Sequence, residues 1–270
     1  MITQTQTQTQ PKFNPLTIAV VKSISDNRIT IDSVQCVSWS ELKQELLNEH
    51  DIREEKDGIA IIPCGFLTHD DPNAELLDGV TDDAGLPVVK RCSSNTINYT
   101  MLVIDIDDGP SEDEVHEFFG DHECVVTSTH NHMVNNQVKV RVFLPLKTPV
   151  PHEEIKKRKA KLLDFFPNPD PSTFSDSRAF YLPSVPQERV QYAFIHEIHG
   201  ELFDVMEFAP DEPTKVEVVK SDISDQKLTN YQREYIKSEL EKVGRLEHET
   251  FYKIAAGMHN LSLIHISEPT

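Results

Sequence analysis

The chain has 270 residues, 38% of them hydrophobic, and a formal net charge of -19 at pH 7. This length is enough for one large domain or two small ones, with a core that needs no disulfide bonds. The four cysteines form no CxxC pair, which disfavours a zinc knuckle and is typical of a reducing cytosol. No apolar run approaches the roughly 20 residues of a membrane span. We therefore expect a soluble, cytoplasmic protein.

The strong acidity argues against tight, nonspecific binding to duplex DNA, because proteins that bind phosphate backbones usually carry a basic surface. One dense basic block, KKRKAK at 156–161, is the exception. It is either the solvated face of a helix or a contact for a nucleic-acid backbone, and both interpretations stay open at this point.

Periodicity and turn residues predict the elements of the first hundred residues. The TQTQTQTQ repeat predicts a disordered tail over 1–14. We expect a hairpin around Asp26-Asn27, between PLTIAVVKSI and NRITIDSV, then a short helix in SWSELKQELLNEH and a strand in DGIAIIPCGF. Residues 69–94 are rich in Asp, Pro and Gly, and they predict a long surface loop.

The middle of the chain predicts the order strand, helix, strand, strand, helix, strand. The first strand ends at Asp107, and a capping box at Ser111 and Glu114 opens the first helix. The later elements are strands at 123–129 and 138–146, a helix at 152–166, and strands at 178–182 and 191–195. This order is that of a split βαβ unit. We predict an α+β fold with an RRM-like, ferredoxin-like core, an additional N-terminal α/β unit, and a helical segment after it.

The C-terminal residues predict three further segments. Residues 210–226 are acidic, contain prolines and predict a linker, and 227–260 have the periodicity of a helical segment that begins there. The last ten residues, LSLIHISEPT at 261–270, match the translation of a sequencing-library adapter, and we expect a non-native scar. The chain would then be an N-terminal fragment whose natural frame was cut near Asn260.

Two aspartates, separated by one isoleucine, lie in the predicted strand LVIDIDDG. Because Ile106 separates Asp105 from Asp107, a strand points both acids to one face, where they repel unless a cation lies between them. Oxygen ligands suit Mg²⁺ or Mn²⁺, and two such ions can bridge the phosphates of a nucleoside triphosphate and ease attack by a 3′ hydroxyl. A plain turn at 107–109 is the alternative, but it would not need Asp105 inside the apolar run.

The next two strands carry groups that can bind phosphate. Ser128 and His130 end one strand, and a hydroxyl and an imidazole can both donate to phosphate oxygens. Arg141 and Lys139 share a face of VKVRVFLPL, which indicates a surface for phosphate or template.

The segment DPSTFSDSRAFYLPS provides further candidates. Asp170 could supply a third carboxylate, and Asp176 competes for that role although it resembles a turn residue. Arg178 begins a strand that would return to the sheet.

These segments in order, YTMLVIDIDDG, STHNH with VKVRVFLPL, and DPSTFSDSRAFYLPS, resemble the three motifs of archaeo-eukaryotic primase-polymerase (AEP) domains in phage and prophage replication proteins. IAIIPCGFL and RCSSNTIN resemble the region before the first motif, so the likeness covers roughly 55–200. The family pattern is acid-x-acid, then Ser-x-His, then a single acid with a trailing Arg. A lone DxD is a weak signal, but the ordered set is specific.

The resemblance implies a DNA primase-polymerase, a nucleotidyltransferase that uses a single-stranded DNA template, nucleoside triphosphates and two divalent ions, Mg²⁺ or Mn²⁺. It implies that Asp105, Asp107 and Asp170 are catalytic and bind the metal. It further implies that Ser128 and His130 contact the nucleotide, and Arg141 and Arg178 match basic positions of the family pattern and are assigned to nucleotide binding. We assign 15–209 to this domain and expect the host cytoplasm if the chain is phage-encoded. Such proteins commonly continue into a helicase ATPase, and no GxxxxGK[ST] loop occurs here.

Two alternative functions belong to other classes. A rolling-circle endonuclease of the HUH type would use His130-Asn131-His132 as a metal pair and Tyr231 or Tyr235 as nucleophile. A noncatalytic RRM-like module would need exposed aromatic residues on its central strands, where Phe143 is the one aromatic.

Overall fold

The fold is a mixed α+β arrangement of several sheets and four short helices within residues 14–107 and 110–211, which the computed structural model describes. The helices are α1 Trp39–Leu46, α2 Glu112–Phe119, α3 His152–Lys156 and α4 Lys159–Phe165. The first strands are β1 Leu16–Val21, β2 Arg28–Ile29, β3 Val34–Val37, β4 Asp51–Ile52, β5 Ala60–Ile62, β6 Cys64–Phe66, β7 Leu76–Thr81 and β8 Pro87–Lys90. The later strands are β9 Thr96–Asp107, β10 Cys124–Ser128, β11 Lys139–Pro151, β12 Phe180–Tyr181, β13 Ser184–Val185 and β14 Ile195–Ile198.

By its contacts the chain divides into two compact units, residues 1–213 and 214–270, and the second lies outside the described residues. The predicted tail, linker, helical segment and adapter scar also lie almost wholly outside them, as do Tyr231 and Tyr235. None of the helices described is long and apolar enough to cross a membrane.

The central sheet has five strands in the order β14-β10-β11-β9-β6. Its two long strands, β9 and β11, pair antiparallel, and residues alternate between the two faces of the sheet. Leu102 and Ile104 pack in the larger core with residues of α2, α3 and α4. Met101 and Val103 pack on the other face, in a second core that includes Trp39 of α1. Asp105 and Asp107 continue this second face at the end of β9, so the acids lie where the apolar cover stops.

A four-stranded sheet, β12-β5-β1-β3, provides part of that cover. The helix α1 begins at a capping box of Ser38 and Glu41, which satisfies the free N–H groups of its first turn. Its Trp39 is buried, and the indole Nε1 donates to Glu123 Oε1 at 2.7 Å, just before β10. This bond joins the N-terminal unit to the central sheet.

The N-terminal hairpin differs from the prediction. The partner of β1 is β3, whereas β2 pairs with β8 in a separate three-stranded sheet. A 3-10 turn at Ile31–Ser33 separates β2 from β3, so the predicted second strand is divided between two sheets.

The predicted loop over 69–94 was also wrong, because it contains the hairpin of β7 and β8. Gly85 has a φ of 77°, which a glycine adopts without strain, and Asp82 Oδ1 accepts from the amides of Ala84 and Leu86. Most of β7 is exposed on both faces, so it carries no apolar alternation that a sequence pattern could detect.

The specific ferredoxin-like arrangement is not confirmed, although the α+β class is. The predicted strand at 178–182 is the short β12, which pairs with β5 outside the central sheet. The predicted strand at 191–195 begins only at Ile195, after a 3-10 turn. The edges of the central sheet are therefore β14 and β6. The predicted helix at 152–166 is divided into α3 and α4.

Candidate active site

The first acid of the DxD motif lies in a buried ion pair. Asp105 is 7% exposed, and Arg141 stands directly opposite it on β11. The Arg141 Nε lies 2.6 Å from Asp105 Oδ1, and its Nη2 lies 3.0 Å from Oδ2. Such a two-point pair fixes the plane of both groups and satisfies both carboxylate oxygens. Arg141 also donates to the carbonyl of Tyr181.

The third motif reaches the first through both main chain and side chains. The Asp170 amide donates to the Asp105 carbonyl at 2.8 Å, and the Asp105 amide donates to Thr173 Oγ1 at 3.3 Å. The Arg178 Nη2 lies 3.4 Å from Asp105 Oδ2 and 3.1 Å from Asp170 Oδ2. Two carboxylates that are far apart in the sequence therefore share one cationic nitrogen.

The charge on Asp170 is stabilised by its neighbours. Burial acts to raise its pKa, but the hydroxyl and amide of Ser172 and the guanidinium of Arg178 outweigh burial and hold the pKa below its ordinary value. The competing acid, Asp176, pairs instead with the buried His152. Of the two candidates, Asp170 is the acid that lies beside Asp105.

The second acid of the motif is more accessible. Asp107 is exposed at the end of β9, opposite Lys139, whose Nζ lies 3.6 Å from Asp107 Oδ1. Each acid of the DxD pair thus faces a basic residue of β11. The predicted sharing of a face by Lys139 and Arg141 agrees with this register.

The three acids fit a hard divalent cation in residue type. Carboxylate oxygens are the ligands that Mg²⁺ and Mn²⁺ prefer, and Asp105 and Asp170 already converge on one positive charge. In this arrangement the charge is the guanidinium of Arg178. Within residues 14–107 and 110–211 no three His, Cys, Asp or Glu side chains are placed to hold a metal ion together. Metal binding by Asp105, Asp107 and Asp170 stays a prediction, and it requires Arg178 to move.

The Ser-x-His motif has partners from a segment that no motif contains. The imidazole Nε2 of His50, just before β4, lies 2.9 Å from Ser128 Oγ and 3.1 Å from the Ser128 carbonyl. Burial lowers the pKa of His50, which favours the neutral ring. The His130 Nε2 donates to the Arg53 carbonyl at 3.2 Å. The predicted nucleotide-binding pair is therefore attached to residues 50–53.

Ser128, His130 and Arg141 line a common small cavity, together with Thr127 and Lys56. Thr127 lies opposite Arg141 in the register of β10 and β11. Sequence reasoning missed His50, Lys56 and Thr127. The first two lie more than 70 positions before Ser128, in NEHDIREEKDG, and no spacing in the sequence relates them to the motif.

Neither alternative function gains support from these contacts. His130 bonds to Arg53, whereas the Nε2 of the buried His132 lies 3.1 Å from Glu112 Oε1, so each histidine of the HUH-like pair has its own partner. Phe143, the aromatic that an RRM-like module would use to stack bases, is fully buried in the second core.

Comparison with known proteins finds a similarity for part of the chain. Residues 83–205 match the family model of the VapE N-terminal domain, and this range contains all three motifs. The match confirms the predicted resemblance to AEP-type phage replication proteins. A solved structure, the AEP domain of the cyanophage S-2L primase-polymerase (PrimPol), has a TM-score of 0.38 and 13% sequence identity, with 71% of this chain and 86% of that chain covered. No curated protein matches the chain.

Proposed function

We propose that residues 15–209 form a DNA-dependent primase-polymerase domain that joins nucleoside triphosphates on a single-stranded DNA template. The observation that carries this proposal is the meeting of Asp105, Asp170, Arg141 and Arg178 at one end of the sheet, beside Ser128 and His130. The match of 83–205 to the VapE N-terminal domain supports it, because the matched range spans all of these residues.

In this proposal the acids and the arginines have complementary roles. Asp105, Asp107 and Asp170 hold divalent ions, Mg²⁺ or Mn²⁺, which when bound would offset the charge of the triphosphate and assist the 3′ hydroxyl. Arg141 and Arg178 now neutralise the carboxylates, and Arg178, the more exposed of the two, exchanges its carboxylate partners for phosphate oxygens. That exchange moves one positive charge from the acids to the incoming nucleotide.

The remaining donors position the phosphates. Ser128 Oγ accepts from the Phe194 amide at 3.1 Å, and it accepts a second hydrogen bond when the His50 ring donates to it. Both lone pairs of the oxygen are then used, so the hydroxyl proton can be donated to a phosphate oxygen. His130 lines the same cavity, and its Nε2–H would exchange the Arg53 carbonyl for a phosphate oxygen. Both groups act as hydrogen-bond donors, and neither needs to transfer a proton.

The sheet order and the rest of the natural protein bear on this function as well. The order β10-β11-β9, with α2 between β9 and β10 in sequence, is the part of the sheet that a split βαβ unit would use. We propose that a helicase domain follows this domain in the natural protein, and that the protein acts in the cytoplasm of a host cell.

The test is nucleotide incorporation by the full chain on a single-stranded template, with and without a primer, in Mg²⁺ and in Mn²⁺. Asp107→Asn is the variant to compare, because Asp107 is exposed and we expect its replacement to leave the fold intact. We expect incorporation to fall more than about 100-fold, since an electrostatic contact to the reacting groups is lost.

Asp164→Asn is the matched control, because Asp164 is an exposed aspartate on α4, away from the three motifs. It should keep the activity of the unmodified chain. Equal incorporation by Asp107→Asn and Asp164→Asn would reject the assignment of the DxD motif.

A further inference from the structure

The cavity beside the Ser-x-His motif has an unusual balance of charge. Its lining includes the cationic side chains of Lys56 and Arg141 and the imidazole of His130, and none of its described lining residues is an Asp or Glu. The whole chain has 45 acidic residues against 26 basic ones. A cavity without carboxylates is therefore a local exception to the charge of the protein, and it favours an anionic ligand.

Lys56 is the cation in this lining for which the described residues provide no partner. Arg141 is engaged by Asp105, whereas Lys56 makes no ion pair or hydrogen bond with any residue of the described part. Two acids of its own loop are directed at backbone amides: Glu54 Oε1 accepts from Gln187 at 3.4 Å, and Asp57 Oδ1 accepts from Gly58 at 2.7 Å. The positive charge of Lys56 is thus left for a ligand.

Two arginines next to His130 each carry a donor without a partner among the described residues. Arg53 accepts from His130 through its carbonyl, and Arg189 Nη2 donates to the carbonyl of His130 at 3.2 Å. The Nε of each is buried, and neither has a hydrogen-bond partner among the described residues. Their carboxylate partners, Asp51 and Glu188, are themselves largely exposed. Unsatisfied buried donors cost free energy, and an anion bound nearby can satisfy them.

We propose that Lys56 binds the phosphate groups of the incoming nucleotide, as the fourth member of a subsite with Ser128, His130 and Arg141. This inference rests on the proposed function, which it deepens by adding a residue from outside the three motifs. The ligand it requires is a polyphosphate, because Lys56 and Arg141 bring positive charge to a lining that has no Asp or Glu among its described residues. The loop of residues 53–57 therefore belongs to the nucleotide site.

The test measures binding of inorganic tripolyphosphate to the full chain by titration calorimetry, without template and without metal. Lys56→Ala should weaken binding about tenfold, the effect of one lost charge-assisted hydrogen bond. Lys56→Arg should restore most of the affinity, and Lys56→Glu should weaken binding further. Lys156→Ala, on the exposed part of α3, is the matched lysine control and should bind as the unmodified chain does.

The same variants separate this inference from the proposed function. Unchanged tripolyphosphate affinity in Lys56→Ala would overturn the role of Lys56, even if the chain incorporates nucleotides. Lys56-dependent binding in a chain that incorporates no nucleotide would support the anion subsite and reject the polymerase. Equal unfolding midpoints of all four variants would show that the affinities are compared on the same fold.

Discussion

Two groups of basic residues, one contiguous in the sequence and one assembled by the fold, differ in what their charges contact. The block at 156–161 is the densest run of basic residues in the chain, yet Arg158 is buried and bonds to Glu154 Oε2 at 2.6 Å and to the Phe208 carbonyl at 2.7 Å. Lys157 pairs with the same glutamate, and Lys161 donates to the Pro210 carbonyl. Much of this block holds α3 and α4 to the chain that follows them.

The candidate active site is the reverse case. Its basic residues, Lys56, Arg141 and Arg178, come from three segments that are far apart in the sequence. The fold brings them to one end of the sheet. A dense run of basic residues in the sequence can therefore serve internal ion pairs and hydrogen bonds. The basic residues of a binding site can instead come from distant segments that the strand order brings together.

The largest effect is expected at the centre of the site. Asp105→Asn removes the charge that two arginines share and leaves Arg141 buried without a counter-charge, which should cost about 3–5 kcal/mol of unfolding free energy. Nucleotide incorporation should also be lost. Denaturant unfolding with an incorporation assay measures both.

Asp107→Asn is the comparison for that experiment, because Asp107 is exposed. It should lose activity with little loss of stability. If both variants were equally stable, the buried ion pair would contribute less than the structure indicates.

A smaller effect is expected in the basic block. Arg158→Met leaves the Phe208 carbonyl without its donor, and we expect a loss of about 1–3 kcal/mol of unfolding free energy. Incorporation and template affinity should be unchanged while the variant is folded. Lys156→Met, a neighbouring exposed position, should change stability by less than about 0.5 kcal/mol. Weaker template binding by Lys156→Met would restore a nucleic-acid role for the block.

The smallest effect concerns pH. Burial places the pKa of His50 below the ordinary value of about 6.5, so the unfolded chain binds this proton more readily than the folded chain does. The contribution of His50 to stability is complete above about pH 6.5, and it is lost as the pH falls through the folded pKa. His50→Gln keeps a donor for the Ser128 carbonyl and should reduce the decline in unfolding free energy below about pH 6.5. An identical decline in both proteins would mean that other groups cause it.

Sequence reasoning predicted well those parts of the fold that depend on local patterns. The apolar run before Asp105, the apolar spacing of SWSELKQELLNEH and the capping box at Ser111 correspond to β9, α1 and α2. It was wrong about which strands pair with each other. The strand β12 has only two residues, and its partner, β5, lies over a hundred positions earlier in the sequence. The same reason explains why His50 and Lys56 were missed. A contact between distant segments leaves no periodic trace in a single sequence.

The main-chain hydrogen bond between residues 105 and 170 affects how the site tolerates substitution of its acids. The Asp170 amide donates to the Asp105 carbonyl, and Ile106 and Pro169 form an isolated β-bridge beside that bond. The separation of the two acids is therefore fixed by backbone atoms that every residue type except proline possesses. Replacing either aspartate by glutamate would move its carboxylate by one methylene while the loop stays in place. The activities of such variants would therefore show which separation of the two carboxylates the reaction requires.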